Sequence, residues 1–372
     1  MVDLGEITVT LPDRRFPWFT STRRREGRRG FRAASGAGNR CGGNFVLRAS
    51  VRRTVSFVHH PDDFPDAWLH GKEQKLLDLY VPAAEKSGLC FEFVPARELV
   101  PSVGRRPHLY RGERDLLEDR GCFLLEQTSA DPQAAQFLGA IYEVVAASDS
   151  VLVNRTTKDL EFLERDKLAI ADRAGALGVP HLPTLIVPPG KHAQRVLAHL
   201  PLLGGGPWLL KPREMSMGRA VLKFSTEEEL RSGLDLVAQS GSSYLLQPYL
   251  ANEGDLRVYL IDGVVSGAQL RRPAVGGLLA NTSRGGHVTT FDVPAELGEW
   301  CRRITDSLGA RYLCVDWLVT GTGFVLNEWC TTLGGFSFLP SPQREERADA
   351  LFAFIAREIE RAEHPVRQAV TA

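Results

Sequence analysis

From residue 53 onward the chain alternates short apolar runs with longer segments of helical spacing. TVSFVHH (54–60) is a compact apolar run of the kind that makes a buried strand, and KEQKLLDLYVPAAEKSG (72–88) spaces its apolar residues as a helix closed at Gly88. CFEFVPARELV (90–100) reads as a second strand, PHLYRGERDLLEDRG (107–121) opens with a third, and DPQAAQFLGAIYEVVAAS (131–148) is helical before the strand SVLVN (150–154). Strands alternating with helices predict a parallel sheet of α/β type. After Glu164 the character changes. A helix in RDKLAIADRAGALGV ends at Gly178 and Pro180, and WLLKPREMSMGRAVLKF (208–224) reads as two strands joined by a short loop. A capped amphipathic helix follows in TEEELRSGLDLVAQSG, starting after Ser225 or Thr226. YLLQPYL, DLRVYLIDGVVSGAQLRRPA and HVTTFDV continue as antiparallel strands, ELGEWCRRITDSLG as a helix, and REERADALFAFIAREIERAEH as a closing amphipathic helix. No internal repeat is visible.

The segment YLCVDWLVTGTGFVLNEWCTTLGG (312–335) has two apolar runs broken by Thr320-Gly321-Thr322-Gly323, which predicts a β-hairpin carrying carboxylates. Its register decides the chemistry. A three-residue loop, Gly321 to Gly323, pairs Thr320 with Phe324 and sets Asp316 opposite Glu328. A two-residue loop at Gly321-Thr322 sets Asn327 there instead and turns Glu328 to the other face. The first register is favoured: opposed carboxylates repel unless a cation lies between them, and Mg²⁺ takes carboxylate oxygens together with substrate phosphates.

A length of 372 residues exceeds what one core usually organises, so two or three subdomains around a cleft are expected. We place a basic tail at 1–52, an α/β substrate domain at 53–155, a central subdomain at 156–246 and a metal-bearing subdomain at 247–365. The apolar share of 43% and charged share of 24% are those of a soluble globular protein, and no run approaches the ~20 apolar residues of a membrane span. The six cysteines show no CxxC spacing, and no apolar signal segment opens the chain, so a reduced cytoplasmic setting without structural zinc is expected. The net charge of zero conceals a surplus of +8 in residues 1–55, where 12 Arg face 4 acids, and a matching deficit in the rest. The Arg- and Gly-rich stretch 20–43 lacks apolar periodicity and reads as a disordered, solvated tail; a nucleic-acid partner is the disfavoured reading.

Several residues suit phosphate chemistry. Lys211 follows the strand WLL and precedes a loop holding Ser216 and Gly218, so its ammonium can reach a ligand that the loop covers. Lys167, opening a helix, is a second cation or an ordinary solvated residue. Gln247 ends a strand whose continuation through Tyr249 and Leu250 can offer backbone groups to a purine. Asp255 and Arg257 alternate and so share one face, fit for ribose and phosphate or for a simple cross-strand ion pair. Arg271 and Arg272 leave the next strand, and a loop with Asn281, Arg284 and Gly285-Gly286 can bind an anion. His59 and His60, at the end of the first strand, read as exposed loop histidines, with contact to a substrate as the alternative.

In this order and spacing, VLVNR, RDKLAIADRAGALGVPHLPT, WLLKP, QPYLANEGDLRVYLIDGVV, RRPAVGGLLANTSRGG and VDWL with LNEWCTTLGG resemble the ATP-grasp superfamily, particularly glutathione synthetase and the RimK-type glutamate ligases. The match covers roughly 55–335. The resemblance implies an α/β and α+β architecture, the ATP-grasp fold, behind an N-terminal α/β domain. It implies that ATP and Mg²⁺ (two ions, or Mn²⁺) are bound, with Lys167, Lys211, Ser216 and Gly218 on the phosphates, Gln247, Tyr249 and Leu250 at adenine and Asp255 at ribose. Asp316 and Glu328 would hold the metal; Arg257 and Arg272, with Asn281 and Arg284, would face the transferring phosphate. The implied partners are a small-molecule carboxylate and an amine, without nucleic acid or membrane, and a homodimer is compatible with this.

Three features depart from the family. Cys330 stands where relatives carry the Asn of Glu-x-Asn, a soft sulfur ill suited to Mg²⁺; Asn327 or water is left to compensate, although strand alternation points Asn327 away from Glu328. Met215 and Met217 thin the glycine of the phosphate loop. Leu279 replaces an Arg. The implied reaction activates a carboxylate as an acyl phosphate, which an amine displaces to form an amide; His287 is the one candidate base. Two alternatives stand beside it: intramolecular ring closure by the same activation, and a nucleotide-binding regulatory protein of little turnover.

Overall fold

In the computed structural model the residues described are 53–63, 66–118, 120–126, 129, 131–155, 166–215, 218–274, 286–332 and 335–363. The expected basic tail lies outside them. Three sheets carry the cleft.

The first sheet is parallel, in the order β2-β1-β6-β7, from β1 (Thr54–His59), β2 (Cys90–Pro95), β6 (Cys122–Leu125) and β7 (Val151–Leu152). Helix α1 (Asp66–Lys86) joins β1 to β2, and α2 (Pro132–Ala146) joins β6 to β7, capped at Asp131, whose carboxylate accepts from the Ala134 amide. The expected third strand is not part of this sheet. Residues 99–115 instead fold as a small antiparallel sheet of β3 (Leu99–Val103), β4 (Pro107–Arg111) and β5 (Arg114–Asp115). The turn residues Gly104 and Gly112 punctuate this run every few residues, too soon for a helical crossover. CFLL, only four residues and buried throughout, supplies the missing central strand.

The second sheet, β10-β9-β11-β8, is built from β8 (Leu185–Ile186), β9 (Trp208–Pro212), β10 (Leu222–Phe224) and β11 (Tyr244–Pro248). Its Trp208, Leu210, Tyr244 and Leu246 pack under α4 (Glu227–Val237) and a 3₁₀ stretch, Gly190–Leu203, that the sequence reading did not foresee. Helix α4 starts at Thr226 in a reciprocal cap with Glu229, as the spacing predicts. The opposite face of the sheet, with Leu209, Lys211 and Gln247, looks away from this core.

The third sheet is antiparallel, β14-β13-β12-β15-β16, with β12 (Gly254–Ile261), β13 (Val264–Arg272), β14 (His287–Thr290), β15 (Tyr312–Thr320) and β16 (Gly323–Cys330). One face, with Leu256, Val258, Leu270, Val315 and Trp317, packs on α3 (Lys167–Ala176) and α5 (Ala295–Leu308). Helix α6 (Gln343–Glu363) lies against α1, and its Phe352 and Ile355 join Val55 and Tyr80 in one core. No helix among the described residues is long and apolar enough to cross a membrane.

The hairpin β15–β16 corrects the sequence reading in its details. Thr320 pairs with Gly323, so the turn has two residues; the Thr320 hydroxyl accepts from the Thr322 amide (3.2 Å) and donates to the Gly323 carbonyl (3.0 Å), which favours this closure. Yet Asp316 does face Glu328, because the register shifts between Asp316 and Trp317 and leaves Asn327 as an extra residue. This is a β-bulge. Leu326 and Trp329 therefore both reach the same core, although three residues apart, and Asn327 and Glu328 are both left for the other side.

Candidate functional site

The polar side of the third sheet carries one row across four strands: Gln269, Arg257, Asp316 and Glu328 occupy successive register positions on β13, β12, β15 and β16. Arg271 and Asp255 form the adjoining rung. Arg257 grips Asp316 with two hydrogen bonds, Nε to Oδ1 at 2.7 Å and Nη2 to Oδ2 at 2.6 Å, and Arg271 reaches the same Oδ2 at 3.0 Å and Asp255 at 2.7 Å. Asp316 is 2% exposed. Burial alone would raise its pKa, but the two guanidinium groups win and hold it below the usual carboxylate range. Asp255 is pushed up, by burial first and by repulsion from Asp316 against the pull of Arg271. Gly254 makes this rung possible: its φ is +153°, and a Cβ there would meet the Arg271 carbonyl oxygen at 2.5 Å.

Two lysines approach from the second sheet and α3. Asp166 caps α3 by accepting from the Leu168 amide (3.0 Å), and the same carboxylate takes the Arg213 guanidinium at 2.7 Å just past β9. This clamp sets Lys167, the first residue of the helix, beside Lys211, the fourth residue of β9. Lys167 Nζ donates to the Met215 carbonyl (2.5 Å) and stands 3.7 Å from Glu328; Lys211 Nζ lies 3.4 Å from Asn327 Oδ1. Burial, then repulsion by Lys167, lowers Lys211 to about 8. The bulge at Asn327 thus joins the two sheets.

Of the residues named from sequence, Lys167, Lys211, Arg257, Asp255, Asp316 and Glu328 meet in this cleft. Gln247 is buried on the same face of its sheet as Lys211, with Nε2 donating to Thr184 Oγ1 at 2.7 Å. The Tyr249 amide already donates to the Pro207 carbonyl (2.8 Å), and its ring carries Lys223 at 3.5 Å, so Tyr249 is held in place beside Leu250. Gly218 sits at φ +65° in the turn after the loop. Ser216, Asn281 and Arg284 lie outside the described residues. Arg272 is corrected: alternation puts Arg271, not Arg272, beside Gln269 on the polar face, and Arg272 is exposed near Thr289. His287, opposite Arg272 on the edge strand, is exposed too. His59 is not a loop residue but the buried end of β1. Gln269 is the member that sequence reasoning missed, and Arg271 and Asn327, named there, were not given these places; the even spacing of Asp255 and Arg257 against Gln269 and Arg271 carried the signal for the first and second.

Cys330 follows Glu328 on the same face and pairs with Cys314. A hydrogen bond with Cys314 draws its thiol down to about 7, against burial and with help from Arg257.

The nucleotide and Mg²⁺ implied by the resemblance can be tested against these groups. Buried and without hydrogen-bond partners among the described residues are Gln247 Oε1, Asp255 Oδ1, Gln269 Oε1 and Arg271 Nε. Each unmade bond costs about 1–3 kcal/mol, and amine, hydroxyl and phosphate groups of a nucleotide would satisfy them. For the metal, no three His, Cys, Asp or Glu side chains among the described residues make a stand-alone site. Asp316 Oδ1, which takes one N–H of the two it can accept, Glu328 and Asn327 Oδ1 instead suit a cation that arrives on phosphates.

A family model described as the prokaryotic glutathione synthetase ATP-grasp domain matches residues 201–318. The chain is 29% identical over 129 residues to a probable alpha-L-glutamate ligase of Parasynechococcus marenigrum (strain WH8102), spanning 34% of this chain and 28% of that protein. Against other curated alpha-L-glutamate ligases it spans about half of their length. Among solved structures it is similar to D-cycloserine synthetase DcsG, at 19% identity and a TM-score of 0.59 over 81% of this chain and 99% of that one. It is also similar to the macrocyclase MdnC of Microcystis aeruginosa MRC, bound with precursor peptide MdnA, at 14% identity and a TM-score of 0.55 over 80% and 99%. With the two lysines facing a carboxylate hairpin across the cleft, and with these solved structures as its neighbours, the chain has the ATP-grasp fold.

Proposed function

We propose that the protein is an ATP-dependent carboxylate–amine ligase that forms an amide or peptide bond on amino-acid-like substrates. The observation that carries this reading is the meeting of Lys167 and Lys211 with the Asn327-Glu328 bulge, opposite the Arg257–Asp316–Arg271 network. Cations and carboxylates so arranged suit phosphoryl transfer, which is mostly positioning and charge neutralisation. Lys211 and Lys167 hold the phosphates. Arg257 and Arg271, fixed by Asp316, present their N–H groups to the transferring phosphoryl and to the substrate carboxylate that attacks it. Asp316, Glu328 and the Asn327 amide hold Mg²⁺, which when bound offsets charge on the phosphates. The carboxylate displaces ADP from the γ-phosphorus to give an acyl phosphate, and the amine then attacks the acyl carbon, expelling phosphate and losing a proton to water to form the amide. Gln247 and the Tyr249–Leu250 segment seat adenine, and Asp255 accepts from ribose.

Linear ligation and ring closure share this chemistry. The similarity to a glutamate ligase, a cycloserine synthetase and a macrocyclase supports the common step rather than either outcome. The deciding measurement is ADP release with pooled amino acids, dipeptides and short peptides. Substrate-dependent ADP release that disappears in Glu328→Gln, with the fold intact, is expected. Nucleotide binding without release across the panel would overturn the reading in favour of a regulatory nucleotide binder.

A further inference from the structure

On the polar side of the third sheet, the rung beside the metal acids is made of sulfur. Cys314 and Cys330 pair directly across β15 and β16, each two residues from a proposed metal ligand, Asp316 and Glu328. Both are free thiols. Residues opposed in an antiparallel ladder have Cα atoms about 4.5–5.5 Å apart, within the ~4.4–6.8 Å that a disulfide spans. Their Cβ atoms need to close by only about 1 Å to reach the spacing of a disulfide. The side chains of an opposed pair share one face, and these two thiols already share a hydrogen bond. Their access differs. Cys314 is fully buried, with Sγ 3.7 Å from the Thr332 carbonyl and 3.6 Å from the Tyr312 hydroxyl. Cys330 is partly exposed on the face that carries the site, so an oxidant entering the cleft meets Cys330 first.

A bond between these sulfurs reaches the nucleotide site by two routes. It draws the end of β16 toward β15 next to Glu328, 3.7 Å from Lys167, and Asn327, whose Oδ1 lies 3.4 Å from Lys211 Nζ. Both lysines belong to other elements and do not follow. Oxidation also removes the proton that Cys314 Sγ can offer to the Thr332 carbonyl, freeing the chain just past the metal strand.

We propose that Cys314 and Cys330 form a reversible disulfide when peroxide enters the cleft, and that this displaces Asn327 and Glu328 and weakens nucleotide binding. Cys330 Sγ attacks one peroxide oxygen, the O–O bond breaks, and the other oxygen leaves as water with the thiol proton, giving a sulfenic acid. Cys314 Sγ then attacks that sulfur; the S–S bond forms, the S–O bond breaks and a second water departs with the Cys314 proton. Two thiols are oxidised by two electrons, and one peroxide is reduced to two waters. In a reducing compartment such pairs are transient and sense redox state rather than build structure. The effect on the nucleotide rests on the ligase reading; the disulfide does not.

The full chain, reduced and freed of reductant, is treated with hydrogen peroxide, and its non-reduced digest is mapped by mass spectrometry. A Cys314–Cys330 link with loss of two hydrogens is expected, reversed by dithiothreitol. The oxidised chain should bind AMPPNP with Mg²⁺ at least tenfold more weakly by calorimetry, with recovery on reduction. Cys314→Ser should bind AMPPNP as the reduced chain does, which also shows that the fold is intact, and should gain oxygen at Cys330 instead of the link. The map of the unsubstituted chain decides the bond whatever the stability of that variant. Both thiols left free by peroxide, a link to another cysteine or to a second chain in place of this one, or unchanged AMPPNP affinity once the link has formed would overturn the inference. A mapped link in a chain that binds no nucleotide in either state would keep the disulfide and sink the ligase reading. Substrate-dependent ADP release that is the same before and after oxidation would do the reverse.

Discussion

Asp316 and Glu328 face each other in one hairpin and have the same proposed role, yet their removal should have unequal consequences for stability. Asp316 is nearly inaccessible and binds two guanidinium groups, whereas the Glu328 side chain is 30% exposed and lies 3.7 Å from one lysine. At ~4 Å and an effective dielectric of about 20, each charge pair is worth about 4 kcal/mol before desolvation. Removing one partner of a buried pair costs about 3–5 kcal/mol, since the remaining charge stays buried. Asp316→Asn takes from Arg257 the carboxylate that holds both Nε and Nη2, while Arg271 keeps Asp255. We expect a loss of about 3–5 kcal/mol in urea unfolding followed by circular dichroism, and a fall in Tm on the order of 10 °C. Glu328→Gln should cost under about 1 kcal/mol, as a partly exposed pair does. Adding Arg257→Met to Asp316→Asn should recover part of the loss, with a coupling of about 1–3 kcal/mol. Equal stability of the two single variants, or no recovery in the double, would refute the network as described.

Lys211, lowered to about 8, must be protonated to hold phosphate, so the Kd for AMPPNP should rise towards tenfold per pH unit above about 8 by calorimetry. Lys211→Arg should flatten that profile. In stability terms the sign is opposite: the folded state holds fewer protons than the unfolded between about 8 and 10.5, so the cost of burying Lys211 is full below 8 and fades as pH rises through that window. Deleting Asn327 removes the bulge without changing the pairing of Asp316 with Glu328 or of Trp317 with Leu326; the chain should fold with its Tm within a few degrees but bind AMPPNP more weakly, and outright unfolding would show that the bulge also sets the register. Arg271→Ala should abolish ADP release and Arg272→Ala should reduce it less than threefold, the reverse of the order expected from sequence. Cys330→Asn should lower the Mg²⁺ concentration for half-maximal ADP release, and an unchanged requirement would remove residue 330 from the metal's surroundings.

The sequence by itself determined the local elements and their chemistry. Apolar spacing gave the helices and most strands, Thr226 with Glu229 announced a helix start, and motif order carried the fold. These are properties of neighbours in the chain, or of patterns repeated across a family. Tertiary structure decided what depends on partners far away in sequence. The short strand CFLL is recognisable as central only when β1 and β7 flank it. Arg271 rather than Arg272 enters the site because β13 pairs with β12 in one particular register. The hairpin shows the division most clearly. Sequence reasoning set Asp316 against Glu328 through a three-residue loop, but the turn has two residues and the bulge at Asn327 restores the pairing. Loop length follows from local hydrogen bonds at Thr320, whereas the bulge follows from Leu326 and Trp329 both seeking one core while Asn327 and Glu328 meet the lysines across the cleft. Such a compromise exists only once two faces of the strand have found their separate partners.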